Sequence, residues 1–215
     1  MRGLNRNANG GINGMTDMKI LIAGLFAALS AGTAFAEPIE TGRIIAAITG
    51  DWNMDGGLDL AVLTRGESDL DLHFFLQKDG KYLSNAGVAR GKLWGDAGPD
   101  AFAGIGPEIK ALPNGSILVT TRNETIGRDR WNQTLTLAYR NTDFIVAGFT
   151  YSYRDTLDLN NSGDCDLNVL TGKGIANEAD GKGGHIKRQI SVDAQFIPLK
   201  DWLRDGGTKA CGLDR

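Results

Sequence analysis

Short runs of alternating polarity, each closed by a turn rich in Gly, Asn or Asp, fill the chain beyond residue 40 and restrict it to a fold of β-strands. Leu70, Leu72 and Phe74 alternate with Asp71, His73 and Phe75, and Lys78-Asp79-Gly80-Lys81 makes a hairpin turn into Tyr82-Leu83. A β-branched run over 116–121 follows the turn Pro113-Asn114-Gly115. Residues 134–139 place Leu135, Leu137 and Tyr139 on one face, and a turn at Asn141-Thr142 leads into a strand over 144–153. A further strand is expected over 186–197, before a short Trp202-Leu203 segment, while 91–106 and 171–184 read as long loops. Helical periodicity is nearly absent. Glycine agrees: 30 of 215 residues is about 14%, twice the ~7% of an average protein, as many tight turns require. The expected fold is all-β, built of antiparallel sheets, sandwich-like or a partial β-propeller.

The N-terminus has a different character. After Lys19 an apolar run spans 20–29, and the segment closes on Ala34-Phe35-Ala36. This is the pattern of a secretory signal peptide, residues 1–36, cleaved between Ala36 and Glu37. The run falls short of the ~20 apolar residues of a membrane span, and Gly24, Ser30, Gly32 and Thr33 interrupt it. The Asn/Gly-rich residues 1–14 are foreign to a signal start and point to translation beginning at Met15 or Met18. What remains, 37–215, reads as a single exported domain, periplasmic or secreted, with 20 basic against 25 acidic residues. No later stretch is apolar enough to span a bilayer, and the acidic surplus argues against a nucleic-acid partner. Cys165 and Cys211 form an even pair, which in an oxidising compartment reads as one disulfide.

One motif carries chemistry. Directly after the strand-like run 43–48 comes Gly50-Asp51-Trp52-Asn53-Met54-Asp55-Gly56-Gly57-Leu58-Asp59, then the apolar Leu60-Ala61-Val62-Leu63. Oxygen-bearing side chains at the first, third, fifth and ninth positions, with glycine at the sixth, make the first half of a calcium loop; hard oxygens in this number suit Ca²⁺. Val62 stands where an EF-hand needs its bidentate Glu, so the EF-hand is excluded. The pattern D-x-N-x-D-G-x-x-D-L-A-V resembles the calcium loop of FG-GAP (VCBS, integrin-α-type) repeats, which joins two strands of a propeller blade. By that resemblance Asp51, Asn53, Asp55 and Asp59 are side-chain ligands and Gly57 supplies a carbonyl. A plain Asx turn between two strands is the competing reading.

A second copy lies 107 residues on: residues 158–170 match 51–63 at seven of 13 positions without a gap. Its ligand set would be Asp158, Asn160, Ser162 and Asp166. Ser162 replaces Asp55, which makes this the weaker site, or a tight turn pinned by Cys165.

Signs of catalysis are sparse. His73 and His185 stand apart from any recognisable nucleophile motif and read as structural. Phe149, Tyr151 and Tyr153 share a strand face beside Arg128-Asp129-Arg130-Trp131, an arrangement that stacks on sugar rings, or else the stripe belongs to the core and the charged run is a solvated turn. The FG-GAP resemblance implies a calcium-stabilised module that binds a carbohydrate or protein ligand without catalysis. The alternative is a calcium-dependent envelope hydrolase acting on polysaccharide or peptide through acids such as Glu108, Glu124 and Asp129.

Overall fold

The turns decide the topology. At Asp79-Gly80 the backbone φ values are 55° and 65°, and at Asn141-Thr142 they are 49° and 67°. Two consecutive left-handed residues make the hairpin turn whose twist matches that of the flanking strands, so each strand folds back on its predecessor. The result, in a computed structural model that describes residues 38–98 and 101–213, is two antiparallel sheets. The first runs in chain order through β1 (Ile44–Gly50), β2 (Asp59–Arg65), β3 (Leu70–Lys78) and β4 (Tyr82–Leu93). The second is a seven-stranded meander of β5 (Glu108–Ala111), β6 (Ser116–Asn123), β7 (Asp129–Arg140), β8 (Asp143–Asp155), β9 (Ser162–Asn168), β10 (Lys173–Ala179) and β11 (His185–Ser191). Neither sheet contains a crossover. The expected signal segment lies outside the described residues.

The alternation read from the sequence is the alternation of burial. On β3, Leu70, Leu72 and Phe74 are buried while Asp71 and His73 are half-exposed; on β6, Ile117 and Val119 are buried between partly exposed Ser116, Leu118 and Thr120. One core draws on both sheets, with Leu63, Leu70 and Leu72 from the first and Val119, Leu135 and Phe149 from the second. Phe74 stacks on Phe144 across it, the ring centroids 3.8 Å apart and the planes within 8°.

Beyond β11 the chain makes a 3₁₀ turn at Leu199–Asp201 and a short helix α1 (Gly206–Ala210). This segment packs against both sheets: the turn at Leu199–Asp201 lies against β4, Arg204 pairs with Asp69, and Trp202 is buried with its ring 6.2 Å from that of Phe149. Cys211 is joined by a disulfide to Cys165 on β9, with Cα atoms 6.2 Å apart and both residues fully buried. Gly207 is required here, because a Cβ would collide with the Phe149 ring.

Three expectations need correction. The stretch 171–184 is not one loop but contains β10, whose seven residues pair with β11 throughout and with β9 over six of them. Its small and polar composition hides it, since both ladders come from its neighbours rather than its own propensity. Conversely, the strand expected over 186–197 stops at Ser191. Ser191 pairs with Lys173, the first residue of β10, and one further bond, from Val192 N–H to the Gly172 carbonyl at 2.9 Å, closes the ladder. The chain instead bonds across the sheet end, Gln195 N–H to the Val169 carbonyl and the Ile197 carbonyl to Val146 N–H, each about 3 Å. Finally, the charged run from Asp129 to Trp131 is not a solvated turn but the start of β7.

Candidate functional site

The loop from Asp51 to Leu58 joins β1 to β2 and is organised by its own carboxylates. Asp51 accepts two backbone N–H groups, that of Asp55 on Oδ1 at 3.1 Å and that of Gly56 on Oδ2 at 2.9 Å. Asp55 accepts Gly57 N–H on Oδ1 and the Asn53 amide on Oδ2, both at 2.7 Å, while Asn53 Oδ1 accepts Asp55 N–H at 3.1 Å. Met54 and Gly56 take left-handed φ values of 62° and 84°, which makes the reversal sharp enough for these bonds. Asp51, Asn53 and Asp55 are therefore brought together by the loop.

Asp59 also anchors the loop to the sheet. It is fully buried at the first residue of β2, where Oδ2 accepts Trp52 N–H and Oδ1 accepts Gln77 N–H, each at 2.8 Å. A buried carboxylate with both oxygens bonded is stable, and here it ties the loop to β3. Trp52 is 1% exposed and folds back over Gly50, where its ring leaves no room for a Cβ. Gln77, invisible to the motif at 18 residues' distance, enters the site from the side. Its Oε1 and Asp55 Oδ1 lie 2.5 and 2.8 Å from where a Cβ on Gly57 would stand.

The donor set fits a hard cation by type. Every group is an oxygen, and an ionised carboxylate has about four acceptor positions, of which the hydrogen bonds above use two. The groups are not drawn in as a closed cage: among the described residues no three Asp, Glu, His or Cys side chains gather as a metal cluster.

The second copy folds differently. Ser162 already begins β9, so Ser162 and Asp166 lie four residues apart on an extended strand, about 13 Å. Asp158 and Asn160 sit in the preceding turn, Asp158 Oδ1 accepting Asn160 N–H at 3.1 Å. The structure does not bring these four together. The hairpin is organised by Asp155, which accepts Leu157 N–H at 2.8 Å and pairs with the Arg128 guanidinium, Nε at 2.9 Å and a terminal nitrogen at 2.5 Å.

The acids suggested for hydrolysis are tied up or exposed. Glu108 pairs with Arg122 at 2.9 Å, Glu124 pairs with Arg154, and Asp129 lies exposed at the start of β7. Phe149 is buried, and Tyr151 and Tyr153 are half-buried beside it at centroid spacings of 6.0 and 6.1 Å, so the stripe packs against the core. His185 opens the edge strand β11. His73 has a richer setting than its sequence context reveals. It faces away from the shared core into a cleft of about 630 Å³ with Arg43, Glu67, Asp71 and Arg90, and its Nε2 lies 3.2 Å from the buried Thr64 hydroxyl. Period-two alternation does put Asp71 and His73 on one face, but Thr64 and Arg90 reach it only through the pairing of β2, β3 and β4.

No protein-family model matches the chain, and no curated protein and no solved structure matches it significantly.

Proposed function

We propose that this chain is an exported, calcium-stabilised β domain of FG-GAP/VCBS-like type that binds a carbohydrate or protein ligand through its loops and performs no catalysis. The observation that carries the reading is the loop at 51–59, where a ligand-rich segment links two adjacent antiparallel strands and folds around Asp51, Asn53 and Asp55. The setting supports it, since β1 to β4 form a four-stranded meander, the form of a propeller blade. The core shared with the second sheet supports a sandwich-like arrangement equally. The buried disulfide is the kind kept by a protein that leaves the cytosol. Among the described residues no helix is long and apolar enough to cross a membrane.

Calcium in this reading is structural. It would bind Asp51, Asn53, Asp55 and Asp59 with the Gly57 carbonyl, and neutralise three carboxylates held within nine residues. A site with Kd near 10⁻⁴ M adds roughly 1.4 kcal/mol at about 1 mM ion. The test is a thermal melt of the mature protein with calcium and with chelator, on wild type and Asp55→Ala. Calcium is expected to raise the wild-type midpoint by about 3–5 °C and to leave the variant unmoved; an unmoved wild type ends the proposal.

A second reading, a calcium-dependent hydrolase of polysaccharide or peptide, is favoured only by the His73 cleft, with its mixed charges and buried Thr64. Hydrolysis by the wild type that is lost in His73→Ala would establish it over the binding module.

A further inference from the structure

The C-terminal segment does not lie flat on the second sheet. Between it and β9 remains a cavity of about 390 Å³, walled by Leu167, Val169, Val192, Ile197 and Trp202. That volume lies within the range of small-molecule sites, and the apolar lining would strip water from an apolar guest. The cavity is also preformed. Its roof is held by the Cys165–Cys211 disulfide and by the Cys211 N–H bond to the Gly207 carbonyl at 2.9 Å, so little ordering remains to oppose binding.

Charge at the mouth selects the guest. Asp193, Asp201 and Lys209 line the opening, but the Lys209 ammonium is already 2.6 Å from the Asp205 carboxylate. Lys200, the other cation near Asp201, is engaged by Asp143. The lining therefore sets two carboxylates against one ammonium that is already bonded to Asp205, and the Lys200 charge near Asp201 is shared with Asp143, so the mouth of the apolar pocket carries a negative surplus. We propose that this cavity binds a small organic cation, its apolar body inside and its positive group between Asp193 and Asp201. An anion of the same shape is repelled by both acids, which excludes fatty acids and other apolar carboxylates as the natural guest class.

The site is independent of the loop at 51–59, and titrations with calcium and with chelator would keep the two apart. Three probes of similar size separate the contributions: benzyltrimethylammonium, benzyl alcohol and benzoate, titrated calorimetrically into the mature protein at low salt. The cation is expected to bind with Kd below about 1 mM and benzoate at least about tenfold more weakly. Asp193→Asn with Asp201→Asn should weaken the cation by about three- to tenfold, the worth of two exposed charge pairs, and leave benzyl alcohol unchanged. Gly206→Leu should fill the cavity and abolish binding of all three. Its Cβ would make only ordinary contacts, 3.6 Å to Leu203 and 4.0 Å to Trp202, so the fold survives, as circular dichroism would verify. No saturable binding of the cation, benzoate binding as tightly as the cation, or a Gly206→Leu variant that still binds would each overturn the proposal.

Discussion

Asp155 shows what a single carboxylate does in this protein. It is 3% exposed, holds Arg128, and caps the turn after β8 through Leu157 N–H. The Arg128 guanidinium bonded to it, with the Leu157 amide in support, lowers its pKa from the ordinary 3.8 to about 2. A carboxyl whose folded pKa is depressed contributes stability above the unfolded value and loses it as pH falls through the folded one. The window is thus roughly pH 4 down to pH 2. Thermal midpoints measured from pH 7 to pH 2 should fall more steeply across that window in wild type than in Asp155→Asn, and parallel curves would rule out this role. The repeat pattern marks out Asp158 and Asp166 but not Asp155, because the partner that defines its role, Arg128, is 27 residues away and leaves no local signal. The same holds at the first loop. Spacing alone identifies Asp51, Asn53, Asp55 and Asp59, but Gln77 joins them through the β2–β3 pairing.

At the scale of elements, strands with their own alternation, such as β3 and β6, were legible because one face is buried and the other is not. β10 was not, because it is held in place by β9 and β11 rather than by its own side chains. The disulfide belongs to this scale too, since it ties α1 and the C-terminal turn to the middle of β9. Closing a loop with a sequence separation of 46 stabilises the fold by up to about 4 kcal/mol in the chain-entropy model. Cys165→Ser with Cys211→Ser should therefore lower the unfolding free energy by about 2–4 kcal/mol, read as a lower urea midpoint. Because both cysteines are fully buried, the native wild type should resist dithiothreitol until urea opens it. Thiol counting without denaturant checks this: two free thiols released within minutes would contradict it.

For the whole molecule the decisive contact is between sheets. Phe74 and Phe144 come from strands with no hydrogen bonds between them and stack in the shared core. Phe144→Ala should cost about 3–5 kcal/mol, measured by denaturant unfolding. Combined with Phe74→Ala, the loss should be less than the sum of the two single losses by about 0.5–1.5 kcal/mol, the worth of an aromatic pair beyond its area. Strict additivity would show that the sheets are held by the remaining core without this pair. The His73 cleft and the cavity beneath the C-terminal segment also exist only at this scale, as spaces left where separate elements meet.

By itself the sequence determined the class of fold, the positions of most hairpins, the pairing of the two cysteines and the existence of an oxygen-rich loop after β1. All of these follow from local spacing: period-two polarity, turn residues able to take positive φ, and ligand side chains within nine positions. The tertiary structure decided which strands share a sheet, that the turn from β8 into β9 is organised by Asp155, and which residues far apart in the chain line the cleft and the cavity. Such pairings depend on long-range packing and hydrogen bonding, whose partners leave no periodic trace along the chain.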